Sequence, residues 1–252
     1  MATIPKKVRD RFIKNVSKFQ RVLKKAKNRD VNESDTVNII NDLLEEVFGY
    51  DKYNEVTSEF VIRGTYCDLA IKLNNKTQYL IEAKAVGINL NDNHLRQSIN
   101  YAANHGVPWV ILTNGINWQI HRVIFKKPIS HDLVADINFV ELNPRTDKDQ
   151  EFLYLIAKEG VQKNCREEYY EKIQNINKYI LGNYLLSDPI ILSLRRELRK
   201  FADGRKIETE ELRDIIKNEV LKREIIDTEE GKKASSKVKR FLKKSAKKTE
   251  QN

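Results

Sequence analysis

Apolar residues recur at spacings of three and four over residues 5–28. Val8, Phe12, Val16, Phe19 and Leu23 fall on one face and Lys or Arg fill much of the rest, which predicts an amphipathic helix. A second helix is predicted from an N-cap at Asn32 through Ile39, Ile40, Leu43, Leu44 and Val47, with Gly49 as its stop. The period then changes to two. Residues 56–63, 65–73 and 77–86 read as strands, separated by Gly64 and by the Asn74-Asn75 turn. Residues 91–104 read as a helix and 107–113 as a strand; Asn114-Gly115 then makes a tight turn into a returning strand over 117–124. This α/β segment ends near residue 145, where Asn143-Pro144 marks a break. Beyond it the pattern is helical only, over 149–162, 166–185, 188–202 and 208–225. Ser187-Asp188-Pro189 signals a helix start and Asp203-Gly204 a stop. Residues 231–252 are rich in Lys and nearly free of aromatic residues, and are expected to form a mobile tail.

Composition narrows the class. The chain has 252 residues, 40% of them hydrophobic and 33% charged, enough apolar material for a core. Its net charge of +10 is unevenly placed. Residues 1–30 hold 11 basic and 2 acidic side chains and residues 231–252 hold 9 and 1, while the middle holds 26 basic against 33 acidic. A mildly acidic body with two basic ends points to a polyanionic partner. No apolar run approaches a membrane span, and the start, MATIPKKVRDRF, lacks an export signal, so a cytoplasmic protein with no membrane partner is expected. Cys67 and Cys165 are too few for a disulfide framework or a Cys-based zinc site. There is no phosphate-binding loop and no dinucleotide fingerprint, so this chain is not itself an ATP-driven motor.

The chemistry concentrates in the hairpin over residues 65–86. Residues two apart on a strand share a face, so Glu82 and Lys84 project together from one strand and Asp68 joins Ala70 on the other. The opposite rows, Cys67-Leu69-Ile71 and Tyr79-Ile81-Ala83-Ala85, are apolar and suit a core. Charges set in strands this apolar need each other, a metal or water. A cross-strand salt bridge on a solvated face would satisfy them. Two carboxylates on neighbouring strands also make a hard-oxygen site suited to Mg²⁺, and a Lys beside it can orient or deprotonate a bound water. That combination fits metal-assisted phosphodiester hydrolysis.

Asp68, thirteen residues, then Glu82-Ala83-Lys84 resembles the PD-(D/E)XK nuclease signature. The wider stretch is similar to the N-terminal nuclease domain of type I restriction endonuclease R subunits. Asn32-Glu33-Ser34-Asp35-Thr36, the strand pair, Gln97-x-x-x-Tyr101 with Ala102, Val107-Pro108 and Leu112-Thr113-Asn114-Gly115 before Trp118 follow in the family's order. The resemblance covers roughly residues 30–125 and implies a restriction-endonuclease-like core, a mixed central β-sheet flanked by helices, here followed by an all-helical C-terminal domain. Taken with the patterning, the chain is expected to divide into a basic N-terminal helix (1–30), a nuclease domain (31–145), a helical domain (146–230) and the Lys-rich tail (231–252). The resemblance further implies that Asp68, Glu82 and Lys84 are catalytic, and that Asp68, Glu82, the Ala83 backbone carbonyl and Glu33 hold Mg²⁺ or Mn²⁺. Gln97 and Tyr101 would contact DNA or position the site, their i,i+4 spacing placing both on one helix face. Cys67 stands where the family's naming Pro would be. The activity implied is restriction-type cleavage of DNA by a chain without a motor domain. The rivals are a non-catalytic DNA-binding scaffold with this fold and an accessory nuclease working with a separate motor or specificity subunit; a homodimer is compatible with either. Glu33 also suits a first helical turn with no catalytic role, because a carboxylate there opposes the helix dipole.

Overall fold

The computed structural model of this protein describes residues 3–62, 65–203 and 206–249. The turn expected at Gly64 and the stop expected at Gly204 lie outside them. The chain divides into two compact units, residues 1–170 and 171–252.

The first unit opens with helix α1 (Lys6–Asn28), whose Val8, Phe12, Val16, Phe19, Leu23 and Ala26 are buried. Helix α2 (Glu33–Glu46) starts as expected at Asn32, whose side chain accepts the Asp35 amide. Gly49 adopts φ +82, and a Cβ there would collide with the Arg11 guanidinium, which ion-pairs with Glu159. Strands β1 (Val56–Ile62), β2 (Thr65–Leu73) and β3 (Lys76–Ala83) form an antiparallel meander. Helix α3 (Arg96–Asn104), entered through a 3₁₀ turn at Asp92–His94, crosses over to β4 (Trp109–Thr113), which runs parallel to β3. Strand β5 (Asn117–Ile124) returns antiparallel to β4, and β6 (Ser130–Asn138) completes the sheet in the order β1-β2-β3-β4-β5-β6.

The hydrophobic pattern predicts five strands, and β6 is the one it misses. Its register against β5 shifts at Ile120/His121, so Val134 and Ala135 are both buried and the period of two is broken. One face of the sheet carries Ala70, Leu80, Val110 and Leu112 against Leu95, Ile99, Tyr101 and Ala102 from α3 and its approach. The other face, including Tyr79 and Trp118, meets Phe48 and the main chain at Ile156.

Helices α4 (Asp147–Ile156), α5 (Lys158–Gln162) and the start of α6 (Cys165–Asn175) belong to this unit, past the boundary expected near 145. Two hydrogen bonds supply the reason: the Tyr50 and Tyr79 hydroxyls both donate to Ile156 O, at 2.7 and 3.4 Å. The predicted helix over 149–162 is broken at Ala157, whose backbone is extended. That over 166–185 is broken at Asn177, which instead caps the next helix.

The second unit contains α7 (Lys178–Leu185), α8 (Asp188–Phe201), α9 (Thr209–Ile215) running into a π-turn (Ile216–Val220), α10 (Arg223–Asp227) and α11 (Glu229–Thr249). Ile191, Leu212 and Ile216 form its small core. The expected mobile tail is helical here as far as Thr249. Ala234 and Val238, one turn apart, are buried, which is the amphipathic spacing a Lys-rich composition conceals. Among the described residues no helix is long and apolar enough to cross a membrane.

Candidate active site

The site forms where β2 and β3 part. Their paired rows end at Leu69 opposite Ile81. Beyond that point β3 stays bonded to β4, with Ala83 paired to Thr113 and the Lys84 amide donating to Thr113 O at 2.8 Å. On the β2 side, the Ala83 amide is taken by a side chain: it donates to Asp68 Oδ2 at 2.7 Å. At the C-terminal end of β3, where its parallel pairing with β4 ends, the Asp68 side chain thus takes the place of the β2 main chain as partner.

Glu82 is almost enclosed, its side chain 14% exposed. Its Oε1 accepts Lys84 Nζ at 2.8 Å and its Oε2 accepts Ser98 Oγ at 2.5 Å. Lys84 Nζ also donates to Ala83 O at 2.8 Å and lies 3.5 Å from Glu33 Oε2. Asp68, Glu82 and Lys84 thus meet at one place, as the strand alternation implied. Glu33, in the first turn of α2, reaches the cluster through Lys84.

Electrostatics follows from this arrangement. Burial pushes the Asp68 carboxyl up, the Ala83 amide opposes it, and the Glu82 charge adds to the rise, leaving its pKa at about 6. For Lys84, burial draws the ammonium down. The Glu82 hydrogen bond and the charges of Glu82, Asp68 and Glu33 outweigh it, so its pKa lies above the ordinary 10.5 and the side chain is cationic at neutral pH. Burial pushes the Cys67 thiol up to about 12, so the residue in the motif's Pro position is an inert core group.

Gln97 and Tyr101 share α3 but have different surroundings. Gln97 is exposed, whereas Tyr101 is 2% exposed in the sheet-facing core, its ring stacked on His105 with centroids 4.4 Å apart. The α3 residue that touches the cluster is Ser98, fully buried and bonded to Glu82, which the sequence reasoning missed. Its signal was a small polar residue on the buried face of an amphipathic helix. Two further missed residues fix the frame. Thr36 Oγ1 accepts the Val86 amide at 3.1 Å, fastening α2 to the segment after β3. Asn114, 4% exposed, accepts the Ile116 and Asn117 amides and donates to Ile88 O at 2.9 Å. The Asn114-Gly115 pair therefore makes the expected turn, with φ +82 at Gly115, and also anchors the loop that leaves the site. His94 caps the 3₁₀ turn before α3.

Among the described residues no group of three or more His, Cys, Asp or Glu side chains is gathered around a metal position. The donors at the cluster are nonetheless of one chemical kind. Asp68 and Glu82 supply carboxylates and Ala83 a main-chain carbonyl, a hard-oxygen set that fits Mg²⁺ or Mn²⁺. Lys84 occupies the Ala83 carbonyl and one Glu82 oxygen, so a cation there would displace its ammonium from those two oxygens.

Residues 38–136 match the family model of the type I restriction enzyme R protein N terminus, a span that includes Asp68, Glu82, Lys84 and Ser98. Comparison with curated proteins and with solved structures gives no match. The resemblance in sequence to the R-subunit N-terminal nuclease domain therefore holds over the sheet that carries the cluster.

Proposed function

We propose that this protein is a metal-dependent nuclease hydrolysing phosphodiester bonds in DNA, with Asp68, Glu82 and Lys84 as its centre. The carrying observation is the convergence of two carboxylates, a main-chain carbonyl and a cationic Lys at the parted end of β2 and β3, within the span that resembles a restriction-type nuclease domain. Asp68, Glu82 and the Ala83 carbonyl are the groups that would hold Mg²⁺ or Mn²⁺. A bound divalent ion would supply Lewis acidity toward the phosphate and acidify water.

The chain's own residues do the rest. Lys84 is cationic in the metal-free protein, which suits it to serve as a hydrogen-bond donor and charge beside the phosphate. Its stabilisation falls on the negative charge that builds on phosphoryl oxygen as the bond to the attacking oxygen forms. Ser98 fixes the Glu82 carboxylate in one rotamer through a short bond to Oε2, and Glu33 draws the Lys84 ammonium toward α2. Basic surface offers a grip for the phosphate backbone. On α11, Lys233, Lys239, Arg240, Lys243 and Lys244 are exposed without an acidic partner among the described residues, whereas Lys178, Lys200, Lys206 and Arg213 in the same unit are each paired.

The ion pairing of Lys84 with both Glu82 and Glu33 favours a second reading, a non-catalytic DNA-binding domain closed by its own Lys. Cleavage of supercoiled plasmid with Mg²⁺ or Mn²⁺ separates the two. Nicking that EDTA and Lys84→Ala both abolish is the expected result. DNA binding with no cleavage under any divalent ion would favour the second reading, and an ATPase or specificity subunit co-purifying with activity would mark an accessory nuclease.

A further inference from the structure

A second cluster lies at the other end of β3, roughly 20 Å from Asp68 by the rise of its residues. Here Lys76, Thr77 and Gln78 from β3, Trp109 from β4, and Asn164 and Arg166 at the start of α6 line a cavity of about 150 Å³. Arg166 is 4% exposed, yet its Nη1 has no hydrogen-bond partner among the described residues. Its guanidinium is covered by aromatic faces, 4.3 Å from the Tyr79 ring centroid and 5.3 Å from that of Trp109. Those faces orient the fork without giving Nη1 an acceptor.

Glu167 also lines the cavity, but its carboxylate is already engaged. Glu167 Oε1 accepts Trp109 Nε1 at 3.1 Å and lies 3.4 Å from Arg122 Nη2, so Arg122 matches its charge. Arg166 and the exposed Lys76 then stand against one further acid, the exposed Glu168 in the first turn of α6. The first turn of α6, an 11-residue helix, adds amide donors that no intrahelical carbonyl takes and the positive end of its dipole. An unpaired guanidinium nitrogen on a residue that lines a small cavity, with a helix N-terminus on one side, suits an oxyanion.

The geometry points to an oxyanion-binding site, built to take a single phosphate group at Arg166, Lys76 and the start of α6, separate from the proposed catalytic centre. A cavity of about 150 Å³ has room for a phosphate group. Its two sources are free inorganic phosphate and the terminal phosphate of a nucleic acid strand. The assignment does not rest on the nuclease reading, because it uses none of that centre's residues.

The test is a titration of the full chain with inorganic phosphate in EDTA, at ionic strength held constant with chloride. Trp fluorescence reports it, since Trp109 lines the cavity and Trp118 is fully enclosed in the core. A saturable change with a rise in melting temperature is expected, and Arg166→Gln should weaken binding by about tenfold or more. Because Arg166 is buried, Lys76→Gln serves as a second variant at an exposed position and should weaken binding severalfold. In an Asp68→Asn background, a 5′-phosphorylated oligonucleotide competing better than its 5′-hydroxyl twin identifies a strand end as the source; equal competition identifies free phosphate. Absence of a saturable phosphate response, or a response unchanged in the variants that fold, overturns the assignment. Loss of plasmid cleavage with phosphate binding intact refutes only the catalytic reading.

Discussion

Replacing Asp68 by Asn tests the electrostatics of the proposed centre directly. The folded protein holds the Asp68 carboxyl at a pKa of about 6, against an ordinary value of 3.8, chiefly because burial disfavours the charge and Glu82 repels it. The folded state therefore binds this proton more tightly than the unfolded chain. Ionising the group opposes folding, an opposition absent at low pH that grows as pH rises from about 4 through 6 and then levels off. The gap between 3.8 and about 6 corresponds to at most ~3 kcal/mol. Because the side chain is partly open to water, ~1–2 kcal/mol is the expected size. Asn keeps an oxygen to accept the Ala83 amide and removes the charge. Without metal, Asp68→Asn should thus raise the melting temperature at pH 8 by roughly 2–6 °C. At pH 5 the margin should fall to about half. The assay is thermal or urea unfolding of both proteins in EDTA at the two pH values, repeated with Mn²⁺. The ion should stabilise the wild type and leave the variant unmoved. An Asp68→Asn protein no more stable than wild type at pH 8, or equally favoured at both pH values, would falsify the reasoning.

The same geometry sets the size of other perturbations. Lys84→Ala should reduce cleavage by at least ~10²-fold with the far-UV circular dichroism unchanged, since it removes a donor aimed at developing charge; comparable rates would remove Lys84 from the centre. Ser98→Ala should lower stability by ~1–2 kcal/mol in denaturant unfolding, the size of a hydrogen bond to a charged acceptor, and also slow cleavage by freeing Glu82. Asn114→Ala should destabilise by ~2–3 kcal/mol, because it leaves two amides and the Ile88 carbonyl without partners; a neutral result would mean the turn does not anchor the loop. Changing Lys239, Arg240, Lys243 and Lys244 together to Gln should flatten the salt dependence of DNA binding, by ~0.9 in log–log slope for each phosphate no longer neutralised. Substitution is the sound perturbation here, since deleting α11 would also remove Ala234 and Val238 from their packing.

Much of this protein is written in local chemistry. Stripes of apolar residues set α1 and α2, Asn32 starts α2, and alternation sets β2, β3 and β5, because each signal lies within a few residues of the structure it dictates. The row of Asp68 on one strand and Glu82 with Lys84 on the next is equally local, which is why the core of the candidate site was legible in the chain order alone. What the sequence could not decide depends on partners distant in the chain. Strand β6 needs the register of β5 to explain two consecutive buried residues, and α4 and α5 join the first unit through distant partners, among them the Tyr50 and Tyr79 hydroxyls on the main chain at Ile156 and the Arg11 pair with Glu159. Spacing put Gln97 and Tyr101 on one face of α3; the sheet then buried Tyr101, kept Gln97 at the surface and turned Ser98 toward Glu82. Composition hid the apolar seam of α11, since a few small residues among many Lys suffice when another helix is there to cover them. The sequence by itself determined which charges the chain carries and which strand face presents them. Only the tertiary structure decided that Lys84 is held protonated by three carboxylates and that Asp68 resists ionisation, because burial and through-space charge act on groups the chain order does not place side by side.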